Sequence, residues 1–360
     1  MKILVYPADR SGCGSLRMIW PGGLLAEAGH DVTVVPPQSR ILRLVMEDST
    51  VKDVLTPDGV DVIVFQRVTQ AYMAQAVGVL RRKGIAVVVD VDDDLSSIHP
   101  SNPAWAVHHP ANEGRVGAGG RPHRHSWRNL ATACQAASLV TVSTPALLDV
   151  YARHGRGVVL PNYLPDMYYG LPRADSDVIG WPGSFHSHPN DPEVVGGAVA
   201  RLVDEGASFV MRGDSTGAGR AFGLTEDPPG GGVSIEEWPR AVAGLGIGIA
   251  PLADTKFNRS KSFLKPMEMS ACGVPWVASP RAEYRRLHEM GAGVLADRPR
   301  TWYRELKRLR ESAALRQELS EAGRAVAEQL RLRDHSWRWM DAWTRAYEMQ
   351  QATSRTTVSA

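Results

Sequence analysis

Between positions 249 and 279 the chain reads IAPLADTKFNRSKSFLKPMEMSACGVPWVAS, and Lys261, Ser262, Lys265 and Glu268 stand there in an order that can do chemistry. Two lysines and a serine crowd the start of a short helix. Pro266 suits the first helical position, because its missing N–H would be unpaired there anyway, and it pushes the preceding residue out of helical geometry. The open backbone N–H groups, the positive end of the helix dipole and two ammonium groups together make a cradle for a phosphate or diphosphate. Glu268, about one turn into the helix, can accept hydrogen bonds from the hydroxyls of an attached sugar or ribose. A plainer reading stands beside this one: loop lysines stay solvated, and a glutamate in a first turn only complements the dipole.

Such a cradle has to be carried by strands. Leu245, Ile247, Ile249 and Pro251 rise out of an Ala/Gly background before it, and Gly273 stops the helix ahead of a second apolar run at 276–278. Similar runs occur at 3–6, 32–35, 60–65 and 85–91, with 139–142 closing the first series; the second series starts at 178 and continues at 209–211 and 246–251. Near-continuous apolar runs between helical patterns predict parallel strands buried on both faces, so the fold class is α/β with two doubly wound sheets. In such sheets ligands bind beyond the carboxyl ends of the strands. A helix is predicted over 16–28, interrupted at Pro21-Gly22-Gly23, and residues 161–177 read as a linker. The expected domains are 1–165 and 166–335, followed by a helix at 336–351 and a frayed tail at 352–360. Trp337, Met340, Trp343 and Tyr347 form a helical stripe of the kind that usually packs in a core.

The order Lys261-Ser262-x-x-Lys265-x-x-Glu268, then Ala271-x-Gly273-Val274-Pro275 and Ala278-Ser279, resembles the donor-site signature of glycosyltransferase family 4, the group 1 glycosyltransferases, and of related enzymes with the GT-B fold. The resemblance implies two Rossmann-like domains facing an interdomain cleft, an acceptor-side domain first and a nucleotide-sugar-binding domain second, with the last helix strapped back onto the first. It implies that the lysine loop meets the diphosphate of the donor and that Glu268 holds the ribose. The stretch VIGWPGSFHSH at 178–188 is similar to the family's first strand and donor loop, which places Gly183, Ser184, His186 and His188 among the donor contacts. Arg212, after the 209–211 run, is counted with them. Two departures stand out. Ser184 occupies the place of an arginine common in the family, and Ser260 replaces the first of two glutamates that have seven residues between them, leaving Asn258, Arg259 or Ser260 to take its hexose contacts.

On the acceptor side, Gly12 and Gly14 lie in the loop after the first strand, which resembles a cleft-facing loop of the family but equally suits a tight strand-to-helix turn. The run Asp90, Asp92, Asp93, Asp94 admits two functional readings: a D-x-D metal site, or carboxylates, Asp92 and Asp94, that contact the sugar or acceptor near His99. Solvated loop charges are the plain alternative. With lysines already balancing the diphosphate, no metal is expected. The basic segment RVGAGGRPHRHSWRN offers Arg121 and Arg124 to a phosphate-bearing acceptor, or is a solvated loop.

A formal charge of +2 over 360 residues gives no general push toward nucleic acid or anionic lipid, and three widely spaced cysteines fit a reducing cytoplasm without a disulfide framework. No apolar run reaches the length of a membrane span and no leader pattern opens the chain, so any membrane contact is expected to be peripheral. The expected function is transfer of a sugar from a UDP- or GDP-sugar to an acceptor hydroxyl, with retained configuration as in the resembled family and no cofactor beyond the donor. Lys261 and Lys265 would stabilise charge on the leaving phosphate. Glycan, lipid-linked glycan, protein and a hydroxymethylated base in DNA are the acceptor classes. A non-catalytic sugar-nucleotide-binding or partner-binding protein is the alternative of another class.

Overall fold

The computed structural model describes residues 1–36, 39, 41–112 and 125–358. The chain packs into two compact units, Met1–Ile98 with Ala104–Asn162 and Leu332–Ala360, and His99–Pro103 with Tyr163–Arg331.

In the first unit the strands follow in the order β1 (Lys2–Tyr6), β2 (Val32–Val34), β3 (Arg43–Glu47), β4 (Thr50–Leu55), β5 (Val60–Gln66), β6 (Ala86–Val91), β7 (Leu139–Val142) and β8 (Gly157–Val159). Six of them form one sheet in the order β2-β1-β5-β6-β7-β8, with every pairing parallel. All residues of β6 and β7 are buried, as the unbroken apolar runs require of strands covered on both faces. The series does not close at β7: β8 extends it by one edge strand. β3 and β4 pair as a separate antiparallel hairpin. Its turn residues Asp48 and Ser49 both take positive φ, 46° and 62°, as a two-residue hairpin turn demands, without the glycine that would have signalled it.

The predicted break at Pro21-Gly22-Gly23 is absent. Helical structure runs from Gly12–Gly14 through a π segment, Ser15–Ile19, into Trp20–Glu27, and Pro21 lies just past the π segment, the local irregularity that goes with its missing N–H. The final helix, Trp337–Val358, packs against β5, β6 and β7. Its buried face carries Trp339, Ala342, Trp343, Ala346 and Gln350, whereas Trp337 is 56% exposed. Of the expected stripe only Trp337 faces out: Trp343 is buried and Met340 and Tyr347 are half-buried, so the buried face is rotated part of a turn from the one expected. The helix also continues through Val358, past the expected start of the tail.

The second unit holds β9 (Ile179–Pro182), β10 (Phe209–Arg212), β11 (Ile247–Ala250), β12 (Trp276–Ala278) and β13 (Val294–Leu295) in one parallel sheet ordered β10-β9-β11-β12-β13. Trp181, Phe222 and Trp302 fill its core. The helix carrying Glu268 spans Leu264–Ala271, so Pro266 is its third residue and not its first. The shift puts Lys265 inside the first turn, and Pro266 still lies where helical N–H groups lack partners. Both sheets reverse direction next to their first strand. The switch points fall between β1 and β5 and between β9 and β11, which is where open α/β sheets bind ligands.

Candidate functional site

At the β9/β11 switch point two loops meet. The loop after β9 carries Gly183, Ser184 and His188, and a side chain at Gly183 would come within 2.9 Å of Trp181 Nε1 and 3.4 Å of Lys265 Nζ. Lys265 Nζ donates to the Pro182 carbonyl at 3.4 Å, so the first turn of the Leu264–Ala271 helix and the glycine loop face each other. Gly213, after β10, packs on the same loop: at φ 126° its hypothetical Cβ would lie 2.7 Å from the Gly183 carbonyl oxygen. Trp181 Nε1 is fully buried and has no hydrogen-bond partner among the described residues. Lys261 stacks its ammonium over the Phe257 ring at 4.3 Å. Burial, then the charges of Lys265 and Lys261, hold the His188 imidazole below its ordinary pKa, against the pull of Asp191.

Asp191 ties these loops together. His188 Nδ1 lies 3.0 Å from one of its carboxylate oxygens. The other oxygen accepts the Ala253 N–H at 2.9 Å and Asn258 Nδ2 at 2.7 Å. Asn258 and Ser260 are buried and turn their side chains to protein atoms: Asn258 Nδ2 also donates to the Ala253 carbonyl, and Ser260 Oγ donates to that of Phe257. Arg259 pairs with Asp254. The three residues expected to stand in for the missing glutamate are thus engaged in fixing the loop.

Glu268 is buried, and a single carboxylate oxygen accepts Tyr168 OH at 2.9 Å and Trp238 Nε1 at 3.0 Å. Burial raises its pKa to about 7, while Lys265 and the two hydrogen bonds act in the opposite direction. Ser262, two residues before the helix, is half-buried, and His186 is exposed beside Asp214. Arg212 donates to the carbonyls of Ala241 and Met211 and holds the end of β10 to the neighbouring segment. His99 is exposed, with Nδ1 2.7 Å from Ser101 Oγ.

The β1/β5 switch point has another character. Gln66 accepts the Ala8 N–H and donates to the Cys13 carbonyl, bridging the loop after β1. Gly14 belongs there for space, since a Cβ would sit 1.9 Å from the Asp9 carbonyl oxygen, and its N–H donates to the Asp9 carboxylate at 3.0 Å. Gly12 opens the helical turn that follows. Arg67, at φ 52°, pairs bidentately with Asp92 and stands 3.9 Å from Asp9. Burial by itself would raise the Asp92 pKa, but the Arg67 charge and hydrogen bonds hold it well below the usual carboxylate range. Asp90 lies deeper. It receives Arg17 Nε at 3.1 Å, Arg17 Nη2 at 2.7 Å and Thr141 Oγ1 at 2.7 Å, with both charged side chains at most 1% exposed. Asp94 caps the turn at 95–97 by accepting from Ser96 and Ser97. The acidic run therefore splits: Asp90 and Asp92 pair with arginines and Asp94 caps a turn. No cluster of three or more potential metal ligands occurs among the described residues. Arg121 and Arg124 lie outside the described residues.

Sequence reasoning did not identify Asp191, Trp238, Tyr168 or Arg67. The spacing His188-x-x-Asp191 was the one local signal available; the other three reach their partners only through the fold.

No family model and no curated protein sequence matches the chain. Solved structures do. Sucrose-phosphate synthase from Thermosynechococcus elongatus is 14% identical with a TM-score of 0.60, and the match covers 100% of both chains. A glycosyltransferase from Rickettsia africae is 12% identical with a TM-score of 0.55, covering 96% of this chain and 98% of that one. The Anabaena protein HepE, in complex with UDP and glucose, is 17% identical with a TM-score of 0.50, covering 83% and 78%. The chain is an α/β protein with the GT-B fold of these glycosyltransferases.

Proposed function

We propose that the chain is a glycosyltransferase resembling family 4, which moves a sugar from a nucleotide-sugar donor to an acceptor hydroxyl with retained configuration and without a divalent metal. The second unit binds the donor and the first unit the acceptor. One observation carries the reading. At the β9/β11 switch point a glycine loop lies against Lys265 Nζ, which stands in the first turn of the Leu264–Ala271 helix. An oxygen-rich anion fits such a place. A bound UDP in HepE, a neighbour of the same fold, supports the choice of a nucleoside diphosphate.

The chemistry follows from charge. As the glycosidic bond to the diphosphate breaks, negative charge builds on the leaving oxygens. Lys261, Lys265 and the N-terminal amides of the Leu264–Ala271 helix are fixed sources of positive potential for it, so little reorganisation accompanies the step. Glu268 receives the ribose hydroxyls. In this scheme the lysines do what a metal ion does in other diphosphate-binding sites.

The test is a panel of UDP- and GDP-sugars with glycan, lipid-linked, protein and hydroxymethylated-DNA acceptors, read by release of nucleoside diphosphate with and without EDTA. Release from one donor, undiminished by EDTA and giving a product of unchanged anomeric configuration, is expected. Activity abolished by chelation and restored by manganese would overturn the metal-independent part. Tight nucleotide binding with neither transfer nor donor hydrolysis would make the chain a binding module.

A further inference from the structure

We propose that Asp191 is a positioning residue: it holds His188 as the Nδ1–H tautomer, so that Nε2 presents a lone pair to a hydroxyl of the transferred sugar. The proposal rests on the donor-site reading above and deepens it.

The geometry is closed on one side and open on the other. A carboxylate can only accept, so the 3.0 Å contact to His188 Nδ1 requires the proton on Nδ1. Among the described residues no hydrogen bond reaches Nε2. The ring borders a small surface cleft lined by Ser187, Asn190, Asp191, Thr255 and Asn258 among others. Its edge meets Trp181, the residue beneath the glycine loop, at a centroid distance of 6.4 Å. Asp191 is itself 2% exposed, and its second oxygen is saturated by Ala253 N–H and Asn258 Nδ2. Rotation of the carboxylate would break those two bonds, so the loop after β11 fixes the carboxylate and the carboxylate fixes the ring. Burial first, and then the nearby lysines, disfavour the imidazolium against the pull of Asp191. A neutral ring with Nδ1 occupied is an acceptor at Nε2, suited to an O–H donor and unsuited to a phosphate oxygen, which is also an acceptor. A sugar hydroxyl is the O–H donor that the functional reading brings to this place.

D191N separates this role from mere loop fixation. The amide oxygen can keep both bonds to the loop after β11, while its NH2 group then faces His188 Nδ1 as a donor and forces the ring proton to Nε2. Long-range ¹H–¹⁵N correlation spectra should show the Nδ1–H tautomer in the wild-type protein and the Nε2–H tautomer in D191N. Dissociation constants are measured for UDP-glucose and UDP, and for GDP-mannose and GDP. D191N and His188→Ala should each weaken the bound sugar nucleotide about tenfold, the loss of roughly one hydrogen bond, and leave the matching nucleoside diphosphate unchanged. The double variant should lose no more than either single one. An Nε2–H tautomer in the wild-type protein, wild-type affinity in D191N, or equal losses for sugar nucleotide and nucleoside diphosphate would each overturn the proposal. Absence of binding to the wild-type protein of every nucleotide tested would overturn instead the functional reading on which it rests, and with it the sugar contact.

Discussion

The two switch points share a topology and differ in what neutralises their carboxylates. Between β1 and β5, Asp90 and Asp92 are matched to Arg17 and Arg67 in bidentate pairs. Between β9 and β11 and in the helix beyond, Asp191 meets a histidine and two neutral N–H donors, and Glu268 meets a phenol and an indole. Arginine pairs fix charge permanently, because the guanidinium does not titrate in the working range. Neutral donors leave a carboxylate responsive to burial, to nearby lysines and to a ligand. The first site is built to hold its shape, and Arg67 keeps a left-handed backbone there, a conformation that the surrounding pairs must stabilise. Under the proposed function, the second answers a bound anion.

The largest expected effect is structural and belongs to the first unit. Arg17 joins the π segment to Asp90, the Leu160 carbonyl, Asn162 and, through its own carbonyl, Trp339 of the final helix. Arg17→Met strands a carboxylate that is 0% exposed, and removing one partner of a buried pair costs about 3–5 kcal/mol. Chemical denaturation should show that loss, with much of it recovered when Asp90→Leu is added. A loss under about 1 kcal/mol would mean that Asp90 is protonated or hydrated, and the contrast between the two sites would weaken.

Next come the lysines, where the same comparison predicts the reverse pattern. Lys261→Ala and Lys265→Ala should leave unfolding nearly unchanged and each weaken nucleoside diphosphate binding by about 1.5–3 kcal/mol, the worth of a hydrogen bond to a charged group. Titration calorimetry at fixed ionic strength reads the effect. Wild-type affinity in both variants would remove the lysines from the anion site.

What could be read from the chain in advance follows the same divide. Near-continuous apolar runs gave away β5, β6 and β7, because strands covered on both faces are filled mainly by apolar side chains. The edge strand β8 has only three residues, all half-buried, and the β3–β4 hairpin has a charged and largely exposed pattern with no turn glycine, so neither carries a comparable signal. Lys261, Lys265 and Glu268 stand close together along one segment, which is why their chemistry could be guessed. The partners that set that chemistry come from far away: Tyr168 is 100 residues from Glu268, and Asn258 is 67 from Asp191. Asp92 and Asp94 look alike in the acidic run, and only the positions of Arg67 and of two serines tell them apart.

The smallest expected effect is a pH dependence of donor binding, and it tests the neutral-donor side of the contrast. One oxygen of Glu268 already accepts two hydrogen bonds, so a proton taken up by the carboxyl must sit on the other oxygen. In the proposed function that oxygen is the one that receives the ribose hydroxyls, and a carboxylate oxygen accepts them best when ionised. With a pKa of about 7 in the folded chain against an ordinary 4.5, Glu268 is mostly protonated at pH 6 and mostly ionised at pH 8. Affinity for a sugar nucleotide, whose own diphosphate does not titrate in this range, should therefore rise about tenfold from pH 6 to pH 8. Stability runs the other way: the contribution of the raised pKa is fully present below pH 4.5 and is lost as the pH rises through about 7. Glu268→Gln should flatten both profiles, since its amide does not titrate. A wild-type affinity that stays level between pH 6 and 8 would show that Glu268 remains in one charge state throughout, and that Tyr168 and Trp238 fix its charge as firmly as the arginines fix those of Asp90 and Asp92.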